Sequence, residues 1–276
     1  MMYFFLKAFS FYLRNAPTFA YKITYKIIYS LLFHVLKMRK KVILKNLQWA
    51  YPEKDAAWHN EVMKKTYKFY TKEFLDFIAY PKFYDLTKIK FKNEEILINN
   101  LTGKGAILVS SHYGSFDKLF YALSGLGIKL TGVAYKQNSS GADLFFKRIR
   151  QKFMANQLYK GGNPKLLSKA LNNNNVLILL SDQDAKKKGV RAKFFNIDSA
   201  THSGAAILGK RKKIPLIYAD IIKNDGSYEA SFSEINTNDS VNSIVQQYTS
   251  KIEETIRKNP EQYFWFHKRW KSVRKY

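Results

Sequence analysis

The run Ala106-Ile-Leu-Val-Ser-Ser-His-Tyr-Gly-Ser-Phe-Asp117 decides how this chain is read. Ala106 to Ser111 is a near-continuous apolar stretch, the pattern of a strand buried on both faces. Gly114 permits a tight turn, and a helix around Phe116–Leu126 follows. Working outward, Gly127 precedes a second strand, Ile128–Ala134, and helical stretches cover Ala142–Ala155 and Pro164–Asn172. The polar run Asn172–Asn175 reads as a loop before a third buried strand, Val176–Leu180. A helix near Ser203–Lys210 then leads to a strand at Pro215–Ile222. Asp225-Gly226 signals a hairpin into Tyr228–Ile235. A helix over Val241–Lys258 and a short terminal helix opened by Pro260 complete the chain. Upstream, Asn46 to Tyr80 reads as helical, with Pro52 and Asp55 marking a turn and an N-cap and Pro81 closing it. A short amphipathic piece, Glu94–Asn100, leads to Gly103 and Gly105. Strands alternating with helices predict an α/β fold, with a mixed, partly parallel central sheet flanked by helices.

The chain has 276 residues, and no Pro/Gly/Ser linker divides it, so a single domain is expected. Within it, residues 1–45 are set apart as an N-terminal helical segment from a body at 46–276. Hydrophobic residues make up 46%, enough for a core and against global disorder. Lys and Arg number 47 against 21 Asp and Glu, giving a net charge of +26. That imbalance speaks of partners: an anionic membrane face, nucleic acid, or an acidic protein or substrate. With no cysteine, disulfides, thiolate catalysis, Cys-type zinc sites and iron–sulfur clusters are excluded.

Met1 to Leu13 is apolar and aromatic but carries Lys7 and lacks a basic leader, so a cleaved signal peptide is not expected. Phe19–Leu36 is apolar but broken by Lys22, Lys26 and His34, short of the roughly 20 uncharged residues that a span requires. At helical spacing Ala20, Ile27, Leu31 and Val35 share a face, with Lys22, Lys26 and Tyr29 roughly opposite. The basic residues Lys37, Arg39, Lys40 and Lys41 follow directly. The pattern fits an amphipathic segment lying on an anionic membrane, with the rest of the chain on the cytoplasmic side. A soluble core helix is the alternative.

Ligands of open α/β sheets gather at the carboxyl ends of the strands, and two such ends carry polar clusters. His112 leaves the first strand and Asp117 opens the next helix, a geometry that brings the carboxylate back to one imidazole nitrogen. Such a pair makes a general base without a protein nucleophile. The plainer reading is a histidine that caps the helix. The second cluster is Asp182-Gln183-Asp184, followed by Lys186-Lys187-Lys188 and Phe194-Phe195. It could seat an anionic headgroup beside an acyl chain. His112, Asp182 and Asp184 could in principle hold a metal, but carboxylates on one short segment more often cap a turn, and no metal is expected. No G-x-S-x-G elbow, phosphate loop or dinucleotide fingerprint occurs.

Several segments together resemble the late-step acyltransferases of lipid A biosynthesis, a branch of the lysophospholipid acyltransferase superfamily. Asn46-Leu47 with Tyr51-Pro52-Glu53 is similar to the family's N-L-x-x-x-[FY]-P-E segment. His112-x4-Asp117 matches the H-x4-[DE] motif. Asp182-Gln183-Asp184, Phe194-Phe195 and Ala200-Thr201 with Gly204 resemble its D-Q-D, F-F-G and A-T-x-x-G block. Pro260-Glu-Gln-Tyr-Phe-Trp-Phe-His-Lys-Arg-Trp-Lys271 resembles its terminus, the most specific string of the set. The chain departs from the pattern at Asp117, where the lipid A branch often has Glu, and at Asn196, which replaces a Gly beside the expected acyl pocket.

The resemblance implies direct acyl transfer. His112 would deprotonate an acceptor hydroxyl and Asp117 would orient it. The acceptor, a membrane lipid and foremost a lipid A precursor, would attack an acyl thioester of acyl carrier protein or coenzyme A. Beyond that co-substrate no cofactor is expected. Lys136, Arg148 and Arg150 are candidates to stabilise the oxyanion, and Asp182, Gln183 and Asp184 would line the thioester site. Lys210–Lys213 and the tail cations Lys268, Arg269, Lys271, Arg274 and Lys275 are candidate docking charges for acidic acyl carrier protein and anionic lipids. The implied location is the cytoplasmic face of the inner membrane. Acylation of a glycerolipid or aminolipid, or a non-catalytic basic module binding membrane or RNA, are the alternatives. Binding to nucleic acid is not expected, since no recognised signature for it is present.

Overall fold

The computed structural model describes the chain apart from Thr102–Lys104, Pro164 and Asn173–Asn174, and apart from the side chain of Asn172. The expected glycine at 103, the proline opening at 164 and the middle of the asparagine run therefore lie outside the described residues. Strand β1 (Ile89–Lys92) and helix α5 (Glu95–Asn100) precede β2 (Ala106–Ser110), α6 (Phe116–Gly125) and β3 (Leu130–Ala134). Then come α7 (Ser140–Arg150), β4 (Asn156–Tyr159), α8 (Lys165–Asn172) and β5 (Val176–Leu180). A β6–β7 hairpin (Val190–Phe194, Ile197–Thr201), α9 (Gly204–Lys212), β8 (Leu216–Asn224), β9 (Ser227–Ile235) and α10 (Val241–Lys258) follow. Upstream lie α1 (Met2–Asn15), α2 (Thr18–Ser30), a π-helical turn at Leu31–Val35, α3 (Lys40–Ala50) and α4 (Ala56–Ile78). The Asp55 side chain caps α4 by accepting the Trp58 N–H at 2.7 Å.

The described residues form a seven-stranded sheet in the order β1-β9-β8-β2-β5-β3-β4. Only the β8–β9 pair within it is antiparallel, so the sheet is mixed and mostly parallel. Four strands, in three places, run where the sequence pattern predicts none. β1 (Ile-Lys-Phe-Lys) and β4 (Asn-Gln-Leu-Tyr) are short, polar edge strands, and such edges lack a two-face apolar run. The third surprise is the separate β6–β7 hairpin. Its two-residue loop is Phe195-Asn196, both with positive φ. Asn tolerates that left-handed backbone, so Asn196 is a turn residue at a hairpin tip.

Alternation along each central strand feeds two cores. Ile107, Val109, Leu177 and Tyr218 face α3, α4, α10 and the C-terminal aromatics Trp265 and Trp270. Ala106, Leu108, Ile178 and Ala219 face α6, with Leu119 and Leu123. A third, smaller cluster of Leu13, Tyr21, Leu75, Ile78 and Phe145 pins α1 and α2 against α4 and α7.

Helix α2 turns its tyrosines inward, while Tyr12 of α1 stays exposed. Tyr21 is buried, and Tyr29 stacks on Phe33 against the main core. Phe4, Phe5, Phe11, Phe19, Ile27 and Val35 are left exposed. Among the described residues no helix is long and apolar enough to cross a membrane.

Candidate active site

The parallel register of β2 and β5 builds the site. Ser110 lies opposite Leu180, and the Ser181 N–H extends the ladder by donating to the Ser110 carbonyl at 2.9 Å. His112 and Asp182 each stand two residues beyond those partners, so they meet. His112 Nδ1 lies 2.8 Å from Asp182 Oδ1. The carboxylate side chain is 2% exposed and the imidazole 25%, so the ring is the part that a substrate can reach. Phe116 and Phe264 flank the ring, and Gln183 Nε2 lies 3.4 Å from His112 Nε2. Burial alone would push the Asp182 carboxyl up. The His112 charge, the hydrogen bond from its Nδ1 and backbone N–H donors outweigh burial and hold it below the usual carboxylate range. An ionised carboxylate on Nδ1 makes that nitrogen the donor and leaves Nε2 free to take a proton.

The turn that carries His112 is clamped from two sides. Its carbonyl accepts the Phe264 N–H at 3.0 Å and the Tyr70 hydroxyl at 2.8 Å. Gly114 donates its N–H to the Gln262 carbonyl at 2.8 Å. At φ +57° a Cβ on Gly114 would stand 1.8 Å from the Ile221 carbonyl oxygen, so only glycine fits.

The spacing His112-x4-Asp117 puts Asp117 on the imidazole; the structure gives that place to Asp182. Asp117 sits in the first turn of α6 and accepts a hydrogen bond from the Tyr84 hydroxyl. Burial raises its carboxyl pKa, partly countered by the Lys118 charge and the Tyr84 hydrogen bond. Lys118 itself is buried and lies 2.7 Å from Glu73 and 3.4 Å from Asp76. Glu73 also accepts from Ser115 Oγ at 2.6 Å and from Lys223 at 2.9 Å. This network ties α4 to the turn, to α6 and to β8.

The remaining candidates separate. Asp184 is turned away from His112: its carboxylate accepts from Ser272 Oγ at 2.6 Å, the Ser272 N–H at 3.1 Å and the Lys186 N–H at 2.8 Å. It therefore fastens the C-terminal tail to the loop after β5. Among the described residues no group of three or more His, Asp or Glu side chains is placed to hold a metal. Arg148 binds Tyr3, donating to its hydroxyl and packing 5.0 Å from its ring centre, and so ties α7 to α1. Arg150 donates to Gln157 at 3.1 Å. Its pKa is lowered by burial, against the carboxylates of Asp117 and Asp143. Lys136 is exposed on the loop after β3. Arg269 is buried, donating to the Ala200 carbonyl at 2.9 Å and to Thr201 Oγ1 at 2.8 Å, so it braces the β6–β7 hairpin and is no docking charge. Asn46 donates to the Trp265 and His267 carbonyls, both at 2.7 Å. The distant motifs thus meet as one scaffold around the His112 turn.

Tyr70, Tyr84, Glu73 and Lys118 belong to this site and escape a reading of the sequence. Tyr70 and Glu73 signal themselves only as polar residues on the inward face of the long amphipathic α4, as many surface helices do, and Tyr84 and Lys118, after α4 and within α6, stand in no motif.

An α/β sheet with an imidazole–carboxylate pair at a central strand end is an arrangement that can serve a transferase or a hydrolase. The profile of the bacterial lipid A biosynthesis acyltransferase family matches residues 1–272, and the chain belongs to that family. It is therefore an acyltransferase, and the non-catalytic alternative falls. Comparison with curated proteins finds no match.

Proposed function

We propose that this protein moves a fatty acyl chain from a thioester, on acyl carrier protein or coenzyme A, to a hydroxyl of a lipid A precursor. One observation carries the mechanism: the buried Asp182 carboxylate on Nδ1 of an imidazole that is one quarter exposed. His112 Nε2 takes the acceptor hydroxyl proton as the oxygen attacks the thioester carbonyl. Asp182 stabilises the imidazolium that forms, and the thiolate leaves as the proton is returned to it. Asp117 shapes the same turn through Tyr84 and Lys118. Arg150, in the electrostatic field of Asp117, and Gln183, beside Nε2, are the groups proposed to meet the oxyanion; Lys136 stays a candidate at the rim. Asp184 acts by holding the loop.

Residues 1–45 form the membrane-facing part of this reading and 46–276 the catalytic body. The aliphatic and aromatic side chains exposed on α1, α2 and the π turn would enter the headgroup layer of the cytoplasmic leaflet, with Lys22 and Lys26 at anionic lipids. For the carrier, the tail cations Lys268, Lys271, Arg274 and Lys275 are favoured. They adjoin Ser272, which Asp184 holds at the carboxyl end of β5. Lys210–Lys213 instead end α9 just before β8 begins; β8 runs parallel to β2, so they lie at the amino end of the strands, away from His112 at the carboxyl end.

The test is transfer from radiolabelled acyl carrier protein to bacterial lipid extract. His112→Ala should lose more than about 100-fold in rate. A folded His112→Ala protein with near-normal transfer would sink the mechanism.

A further inference from the structure

A second polar cluster lies at the carboxyl ends of the strands, outside the His112–Asp182 pair. β3 and β4 are parallel with Ala134 opposite Tyr159, and the Lys160 N–H donates to the Ala134 carbonyl at 2.9 Å. That register sets Tyr135 and Lys160 side by side, one residue past each strand. Lys160 Nζ donates to the Tyr135 hydroxyl and lies 4.6 Å from its ring centre. It also lies 3.2 Å from Nε2 of His202, which directly follows β7. Gly161, next in the chain, has open space around it, so a ligand can approach the backbone there.

Among the described residues Lys160 is paired with no carboxylate; its partners are a phenol and an imidazole. The acids nearby are already engaged. Asp182 holds His112, Asp184 holds Ser272, and Asp143 accepts from Tyr159 and the Gln137 N–H. His202 is pushed down to about 4 by burial and by the Lys160 and Arg269 charges, against Asp182 and Asp184. At neutral pH it is therefore a neutral ring accepting from Lys160. Two potentially cationic groups held this close, with a phenol beside them, offer donors from three elements to one anion. A tetrahedral oxyanion uses three such donors at once, and charge-assisted bonds of this kind are the strong ones.

We propose that Lys160, Tyr135 and His202 bind the phosphate ester of a substrate, beyond the same carboxyl ends of the parallel strands that carry His112. This rests on the reading of the protein as a thioester-dependent lipid acyltransferase, because that chemistry offers two sources. One is a phosphate on the acceptor lipid; the other is the phosphate on the pantetheine arm of the donor. Bound phosphate would favour the charged His202 ring, so binding takes up a proton.

The first experiment uses sulfate, which stays a dianion from pH 5 to 8, with full-length protein in detergent and ring resonances of His202 as readout. Sulfate should shift those resonances toward the imidazolium form and bind more tightly at pH 5.5 than at 7.5. Lys160→Gln and His202→Gln should each weaken it about tenfold. Equal affinity in wild type and both variants, with circular dichroism showing them folded, overturns the proposal. The second experiment is kinetic. Lys160→Gln should raise KM for one substrate with kcat little changed, and that increase should vanish when the phosphate is removed from that substrate. An effect tied to the acceptor phosphate or to the donor phosphate names the source; no KM change for either substrate overturns the assignment. His112→Ala should bind sulfate normally. If His112→Ala also keeps full transfer, the catalytic reading fails while the sulfate result stands by itself.

Discussion

Replacing Asp182 with Asn tests which carboxylate serves the imidazole. Asn keeps the shape and leaves an oxygen to accept from His112 Nδ1, but it removes the negative charge beside the imidazolium formed during transfer. Opposite unit charges about 4 Å apart attract by about 4 kcal/mol at an effective dielectric of 20. Nδ1 and Oδ1 are 2.8 Å apart and the ring is one quarter exposed, so solvent trims this to about 3 kcal/mol. That is about two decades in rate. The assay is steady-state transfer from a labelled thioester at saturating acceptor. The expected result is kcat lower by about 100-fold, KM changed by less than about threefold, and the acidic limb of the pH profile moved to lower pH. Asp117→Asn, whose carboxylate acts on Tyr84, should cost about tenfold in rate, less than Asp182→Asn. A folded Asp182→Asn enzyme with kcat within about threefold of wild type would refute the assignment, and the more so if Asp117→Asn abolished activity.

Gly114→Ala places a methyl against the Ile221 carbonyl at positive φ and should destabilise by about 3 kcal/mol or more, read as a lowered thermal midpoint. Two acid-labile steps should separate on the pH axis. His202 and His267 are both depressed to about 4 in the folded state, chiefly by burial, so the stability they contribute is present above about 6.5 and lost as pH falls toward 4. His267→Gln, which keeps an acceptor for the Asp184 N–H, should flatten that limb in denaturant titrations. Glu73 is buried, which alone would raise it, yet Lys118 and Lys223 hold it down to about 2. Its contribution, on the order of 3 kcal/mol, is present above about 4.5 and lost on descent toward 2, and Glu73→Gln should remove that second limb. Exchanging Phe4, Phe5 and Ile27 for Ser should release the protein from vesicles containing anionic lipid in a flotation assay, since each exposed side chain removed forfeits about 2 kcal/mol of burial.

Much of this protein was legible in one dimension. The short apolar runs at Ala106 and Val176 read as buried strands, and glycines and prolines punctuated the helices around them. The sequence alone determined that His112 ends a central strand, and that an amphipathic, lysine-bearing segment precedes the body. It also put Asp117 and Asp182 forward as acids for the site. What it left open was which carboxylate reaches the imidazole, because that depends on strand adjacency and register. Sixty-odd residues separate β2 from β5, and only their pairing, with Ser110 opposite Leu180, carries Asp182 to Nδ1. Asp117 is nearer along the chain, yet the first turn of α6 delivers it to Tyr84. The same cause placed Tyr135, Lys160 and His202 together: three residues with no shared motif, each one step past its strand, joined by the order in which the strands pack.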